Sequence, residues 1–479
     1  MKKLVSIIII SFAHFAQAQT VVPVLTKSKN PEVTTQMSLS GKIVKKVSTD
    51  SLLAENSATS LASERAVKGY VVIASNSISV KKYGAKGNGT TNDAAAIQAA
   101  INAGGRIFFP NGVYKVDTTI TINTKVYIFG DTKATIKRDG TIFNVQHDSV
   151  TITSLNFINS NVPYLIKRDS SNWGKYPTFP HNNGPGYMPT VNDAMYDSLP
   201  STYKSQTIGC NIYSGNINAL ELSYLTGNFL QIFLQGAAYS KIHDCNFRAG
   251  GYGIAMWNNC AQAGLSNEVY NNTIRYASLC GIVLISNNRS SIHDNCIYNC
   301  GESGIKTWQN SIAGVDARCS KTVITNNSIA HCAYDGIDAT VNYSYDTLND
   351  NAVRVLNNSV LNCAGNGINV DGIGPTVQNN RVEQCRQSGI FSRSRNSFIT
   401  GNSLFDNNTG NFASGVHEIT EDGGLNNVIT GNLIRRRTVH NGYGIYIGIA
   451  TKRAVVANNV TLNATVQDVG TYTVKVNNN

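Results

Sequence analysis

The residues best equipped for chemistry recur at matching points of a repeated phrase. Each phrase closes on Gly-Ile or a close equivalent, and the strand that follows has a period of two, so Ile points inward and the next residue outward. Two outward columns result. The first reads Ala255, Val283, Lys306, Asp338, Asn369, Phe391, His417 and Tyr446. The second reads Trp257, Ile285, Trp308, Thr340, Asp371, Arg393, Ile419 and Gly448. The inward set is Met256, Leu284, Thr307, Ala339, Val370, Ser392, Glu418 and Ile447, in which Glu418 is the residue out of place. Lys306, Asp338, Asn369, Asp371, Arg393 and His417 therefore lie together, with Trp257, Trp308, Phe391 and Tyr446 as flat rings beside them. Acids and bases on neighbouring strands also form plain surface pairs. Rings mixed among them favour a site.

Two reactions fit this set. In β-elimination from a uronate, Lys306 or Arg393 is the base, given cations and burial that lower its pKa, and His417 is the acid. Asp338, Asn369 and Asp371 are then oxygen donors of the kind that hold Ca²⁺. In hydrolysis, two carboxyl groups share the work. Asp338 and Asp371 sit one repeat apart and two residues along, about 8 Å by strand spacing, inside the inverting window of about 6.5–9.5 Å.

The elements that position these residues are short. Ile292-His293-Asp294-Asn295-Cys296-Ile297 leads through Cys300 to Gly304-Ile305-Lys306, and the phrase returns at Ile324 and at Val355. Its Asn recurs at 272, 295, 327, 358, 380, 402, 432 and 459, with Cys245 in that slot one turn earlier, at spacings of 22 to 32 residues. Fixed-period units with short apolar alternation and no helical period describe a solenoid of β-coils. The fold expected is all-β: a single-stranded right-handed parallel β-helix with a short N-terminal capping helix. The Asn column and Cys300, Cys332, Cys363 and Cys385 form inward ladders whose role is structural.

Residues Val80-Lys81-Lys82-Tyr83-Gly84-Ala85-Lys86-Gly87-Asn88-Gly89 precede a helix over 94–103, capped by Asn92 or Asp93 and ended by Gly104-Gly105. Arg106 to Val116 then reads strand, turn, strand. This passage closely resembles the opening of the pectate-lyase-3 and rhamnogalacturonase/epimerase-like β-helix family. The resemblance implies the fold and a carbohydrate-related superfamily, which contains lyases, hydrolases, epimerases and phage tailspikes, without choosing a reaction. Polygalacturonase-like hydrolases share the fold, but their Gly-His-Gly and Arg-Ile-Lys patterns are missing here. Tyr252-Gly253-Ile254 is similar to part of the mannuronan epimerase active-site strand, with Ala255, Met256 and Trp257 where its Asp and His belong. Leu61-Ala62-Ser63-Glu64-Arg65-Ala66-Val67-Lys68-Gly69-Tyr70 resembles an element of tail-fibre-like homotrimers, which implies a homotrimer.

Lys2, Lys3, the apolar run Leu4 to Phe12 and Ala16-Gln17-Ala18 read as an export signal over 1–18. No segment is long enough to span a bilayer as a helix. The expectation is a protein secreted to the extracellular space, the cell surface or the periplasm. Residues 19–77 read as a polar linker or oligomerisation element in which Leu52, Leu53, Leu61 and Val67 line a short helix, and 78–479 as the β-helix. Residues 159–209 form a loop insertion, dense in aromatics at Trp173 to His181, read as a wall over the site. Ten Cys in an exported chain raise disulfides, but most fill repeat positions as buried thiols. A net charge of +11 with only 14% charged residues suits a surface that meets anions. Outside a cell the partner is then an acidic polysaccharide. Scattered Lys and Arg without interleaved aromatics do not suit nucleic acid. Phosphate loop, His-Glu-x-x-His and nucleophile-elbow motifs are missing. The reading is a polysaccharide lyase, with an inverting hydrolase or a non-catalytic glycan-binding adhesin as alternatives.

Overall fold

The computed structural model describes residues 77–478 except 139, 160–229, 249, 258–263, 278, 286, 309–318, 341–352, 413–414 and 438–440. Some strand backbone is described outside that range, without side chains, and the same holds for residues 257, 264, 265 and 308. The export signal and the aromatic side chains of the insertion lie outside the described residues. The chain divides into two compact units, Met1–Ser77 and Ile78–Asn479. In the first, Met37–Leu39 pairs antiparallel with Lys42–Val44, and Lys46–Ser48 pairs parallel with Ser60–Ala62. Leu61 thus lies in a strand, where its apolar neighbours suggested a helix. Within the insertion, Thr178–His181 and Gly184–Tyr187 pair antiparallel.

In the second unit, each coil contributes one strand to each of three parallel sheets of 14, 13 and 12 strands. This is a parallel β-helix, right-handed as strand crossovers are. Its turns explain the repeat. The residue before each ladder Asn has a positive φ: 55° at Asp294, 56° at Asn326, 55° at Asn357 and 66° at Gly401. Only Gly, Asn and Asp adopt that conformation readily, which is why the template reads Asn/Asp/Gly there. The following Asn turns inward and is buried. Asn327 donates from its backbone N–H and from Nδ2 to Asn358 Oδ1, at 2.9 and 3.0 Å, and from Nδ2 to the Ile292 carbonyl at 3.0 Å. Asn358 repeats the pattern onto Asn380, and Asn459 onto Asn478.

Between turns, inward Ile and Val stack into one continuous core. Cys300, Cys332, Cys363 and Cys385 are fully buried free thiols at successive coils. Hydrogen bonding with Cys300 and Cys363, and after it burial, push Cys332 well above the usual thiol range. A Cβ at Gly336 would collide with Val360 Cγ1 and lie 2.7 Å from the Gly367 carbonyl, so the Gly of Gly-Ile is required by close approach of the next coil.

Helix α1 (Ala94–Asn102) covers the first coils, burying Ala94, Ile97, Ala100 and Ile101. Asp93 precedes it, but its side chain makes no helix cap. Its oxygens accept from Lys86 N–H (2.6 Å) and Gly87 N–H (3.0 Å), pinning the Gly-rich loop. Asn92 Oδ1 accepts from Ala94 N–H (3.1 Å) instead. Among the described residues no helix is long and apolar enough to cross a membrane.

Candidate functional site

Six strands of the 12-stranded sheet carry the candidate residues: β1 (Ile305–Trp308), β2 (Ile337–Ala339), β3 (Ile368–Val370), β4 (Ile390–Ser392), β5 (Ile419–Glu421) and β6 (Ile445–Ile447). Their register aligns Lys306, Asp338, Asn369, Phe391, Thr420 and Tyr446. Five of these match the expected column. The sixth corrects it: Thr420, not His417, stands between Phe391 and Tyr446. Ile419 faces inward and Glu421, not Glu418, joins the inward set, while Asp422 takes the second-column place expected for Ile419. The cause is a decoy. Gly415-Val416 imitates the Gly-Ile signal, whereas the core requires Ile419 to stack on Ile390 and Ile445, with Glu418 in the glycine slot.

A third column, the residue before each Gly, was missed by counting only outward from Ile. It runs Asp335, Asn366, Ser388, His417, Tyr443. Each backbone N–H donates to the side chain before it. Asn366 N–H reaches Asp335 Oδ1 at 2.6 Å, and Ser388 N–H reaches Asn366 Oδ1 at 3.1 Å. His417 N–H reaches Ser388 Oγ at 3.2 Å, and Tyr443 N–H reaches His417 Nδ1 at 3.0 Å.

At one end lies a carboxyl-rich cluster. Lys306 Nζ contacts Glu302 Oε1 at 2.5 Å and Asp338 Oδ2 at 3.4 Å. Asn369 Nδ2 donates to Asp335 Oδ2 at 3.1 Å and to Asp338 Oδ1 at 3.5 Å. Asp338 and Lys306 are each 5% exposed, Glu302 7% and Asp335 not at all. Burial pushes Asp335 well above the usual carboxylate range, and the neighbouring Asp338 adds to it. Burial likewise raises Asp338, with Lys306 opposing and Glu302 reinforcing. The Tyr334 phenol is raised by burial and by Asp335, which keeps it neutral. Carboxyls whose proton affinity is raised in this way follow the pattern of a general acid. Lys306 donates into two carboxylates, which makes it a fixed cation rather than a free base.

At the other end, His417 is buried, its ring against Tyr446 at 4.5 Å and Tyr443 at 5.3 Å between centroids. Burial, helped by Arg436, lowers its pKa to about 4, so it is neutral near pH 7. Below it Glu418 accepts from Asn407 N–H (3.0 Å) and Nδ2 (2.7 Å) and from Arg436 Nε (3.2 Å). Burial raises Glu418 to about 7, with those partners opposing. Arg436 also donates to the Gly442 and Tyr443 carbonyls, at 2.7 and 2.8 Å. Between the two ends Phe391 lies under Arg393, with the guanidinium carbon 5.0 Å from the ring centre. Arg393 is exposed and 3.8 Å from Asp422, a surface pair rather than a desolvated base. Asp371 is half-buried, with Oδ1 accepting from Gly372 N–H at 2.7 Å. Trp257 and Trp308 close strands whose backbone is described, but their side chains lie outside the described residues.

The expected Ca²⁺ set does not fit. The cation of the cluster is Lys306 itself, Asn369 presents its amide nitrogen to both acids, and Asp371 turns to its own turn. Among the described residues no group of three or more His, Cys, Asp or Glu is arranged to hold a metal. Of the cluster, Lys306, Asp338 and Asn369 were legible as column members. Glu302 and Asp335 were missed, although Glu302 is four residues before Lys306 and Asp335 immediately precedes a Gly-Ile.

These features define a parallel β-helix protein with an acid cluster on the outward face of one sheet. Residues 77–306 match the family described as rhamnogalacturonase A/epimerase, pectate lyase-like. A segment is 44% identical over 63 residues to alginate lyase 7 of Azotobacter vinelandii, covering 11% of this chain and 7% of that relative. The chain thus matches under a tenth of such relatives' length. The fold is similar to the A-module of the A. vinelandii mannuronan C-5 epimerase AlgE6, at TM-score 0.55 and 16% identity over 83% of this chain and 98% of that one. It is also similar to the Dettilon tailspike protein, at TM-score 0.56 and 14% identity over 88% and 72% of the two chains.

Proposed function

We propose that this protein is an exported, carbohydrate-active enzyme that cleaves an acidic polysaccharide on the outward face of β1 to β6. The observation that carries the proposal is the buried Asp335–Asp338 pair beside Lys306 and Asn369. Asp338, the more exposed of the two, is the general acid that protonates the leaving glycosidic oxygen. Burial and then Glu302 hold its proton affinity up, and Lys306 limits the local negative charge. Asp371, on the adjoining coil in the other column, is then the carboxylate that activates water. Phe391 and Tyr446 offer rings to pyranose faces, and Arg393 a cation to a sugar carboxylate.

This assignment favours hydrolysis over the β-elimination expected from sequence, because neither Lys306 nor Arg393 is placed as a free base. The net charge of +11 and the local likeness to an alginate lyase support a uronate polymer as substrate. The likeness to tailspikes is compatible with a homotrimer. The test incubates the protein with alginate, pectate and glycosaminoglycans while following new reducing ends and unsaturated-uronide absorbance. Reducing ends without absorbance, lost in Asp338→Asn, are expected. Absorbance rising with reducing ends would replace hydrolysis by elimination, and neither signal on any polymer would leave a binding protein.

A further inference from the structure

His417 has one ring nitrogen engaged and one not. The Tyr443 N–H must donate, so Nδ1 is the acceptor, and the neutral ring carries its proton on Nε2. That Nε2–H is buried and has no hydrogen-bond partner among the described residues. A buried donor left unmade costs about 1–3 kcal/mol, so such a group calls for an acceptor. Its surroundings are built. The ladder from Asp335 fixes the backbone, and the buried Glu418–Arg436 pair clamps the Gly442 and Tyr443 carbonyls. Tyr443 and Tyr446 flank the ring with their planes within 12° of each other. Tyr443, on one side of the ring, is 36% exposed.

We infer that His417, Tyr443 and Tyr446 form a distal sugar-binding subsite, in which Nε2–H donates to a carboxylate or hydroxyl oxygen of one saccharide unit. The inference rests on the proposed glycan-binding face. It adds a length requirement. Three coils separate the Asp335 and His417 positions, about 14 Å at the usual strand spacing. A short oligosaccharide bound at Asp338 does not reach His417, whereas a longer one engages both. Tyr443 turning outward opens the way to the ring.

The test measures binding by calorimetry of uronate dimers, tetramers and hexamers to the full-length protein carrying Asp338→Asn, so that nothing is cleaved. Adding His417→Leu should weaken the hexamer about tenfold, the value of one hydrogen bond to a charged group, and leave the dimer unchanged. Adding His417→Gln should restore most of the hexamer affinity, since its amide can accept from Tyr443 N–H and donate onward. Thermal melts of each variant separate lost binding from lost folding. Equal hexamer affinity in folded His417→Leu overturns the subsite and leaves a buried water as the partner of Nε2. Should wild type cleave no polymer while hexamer binding still depends on His417, the enzymatic reading falls and the subsite stands. Cleavage with no dependence of hexamer binding on His417 does the opposite: the subsite falls and the enzyme stands.

Discussion

Two ladders run along this β-helix, and they differ in kind. The Asn ladder inside the turns repeats one residue from Asn272 to Asn459, each bonded in the same way to the next coil. The ladder flanking the outward face changes residue at every step: Asp335, Asn366, Ser388, His417, Tyr443. Both satisfy backbone N–H groups with side chains. A uniform ladder answers one recurring need, closing a turn without stranding buried polar groups. A mixed ladder meets the same backbone need while presenting a different chemical group at each coil. It is at the two ends of the mixed ladder that carboxyl and imidazole chemistry accumulate.

The sharpest way to break the contrast is to damage the uniform ladder. Asn358→Leu strands the backbone N–H of Asn327, takes one of the bonds of its Nδ2, and removes the side-chain bonds to Ile324 and Asn380. It should cost on the order of 3–5 kcal/mol, read as a drop in thermal or denaturant midpoint. A near-neutral result would show that the ladder is incidental to stability. The mixed column should respond in the opposite sense. Asp338→Asn keeps shape and removes a strained acid, so the midpoint should barely move while turnover falls by about 10²–10⁴-fold. A large loss of stability with activity retained would make the cluster structural.

A third test lies inside the coil. Glu421 faces inward, and burial raises its pKa to about 8, while Ser392, Asn427 and the Gly424 N–H surround it and partly offset that, none in good hydrogen-bond geometry. Its folded pKa lies above the unfolded value, so between those two values the folded state holds the extra proton and stability declines with rising pH. The melting midpoint should therefore fall from about pH 5 to pH 8, and Glu421→Gln should flatten that slope. A slope unchanged by the substitution would move the effect to other groups, Glu418 first among them. The smallest effect belongs to Arg393→Ala, which removes an exposed pair and should change stability by less than about 0.5 kcal/mol while weakening binding of an anionic polymer. A larger fall in the melt would mean that Arg393 supports the coil rather than the surface.

Much of this was legible because a solenoid writes its structure locally. The Asn/Asp/Gly position announces a left-handed residue, the Asn after it an inward ladder, and Gly-Ile a close coil contact followed by an outward residue. From these, the fold and the alignment of Lys306, Asp338, Asn369, Phe391 and Tyr446 follow. The reading failed where a signal was imitated. Gly415-Val416 looks like Gly-Ile, and accepting it displaced His417, Glu418 and Ile419 together, because a strand slip moves every side chain at once.

The sequence by itself determined the coil, since each repeat carries its own turn and core residues and needs only its neighbours to stack. Which polar groups meet was decided only in three dimensions. Glu302 and Asp335 join Lys306 and Asp338 through coils about 30 residues apart in the chain, and His417 meets Tyr443 and Tyr446 across another coil. Spacing along the chain sets the coil a residue occupies, whereas the register of the buried Ile column sets the side it faces. The shift in proton affinity follows from burial, which belongs to the stacked structure alone.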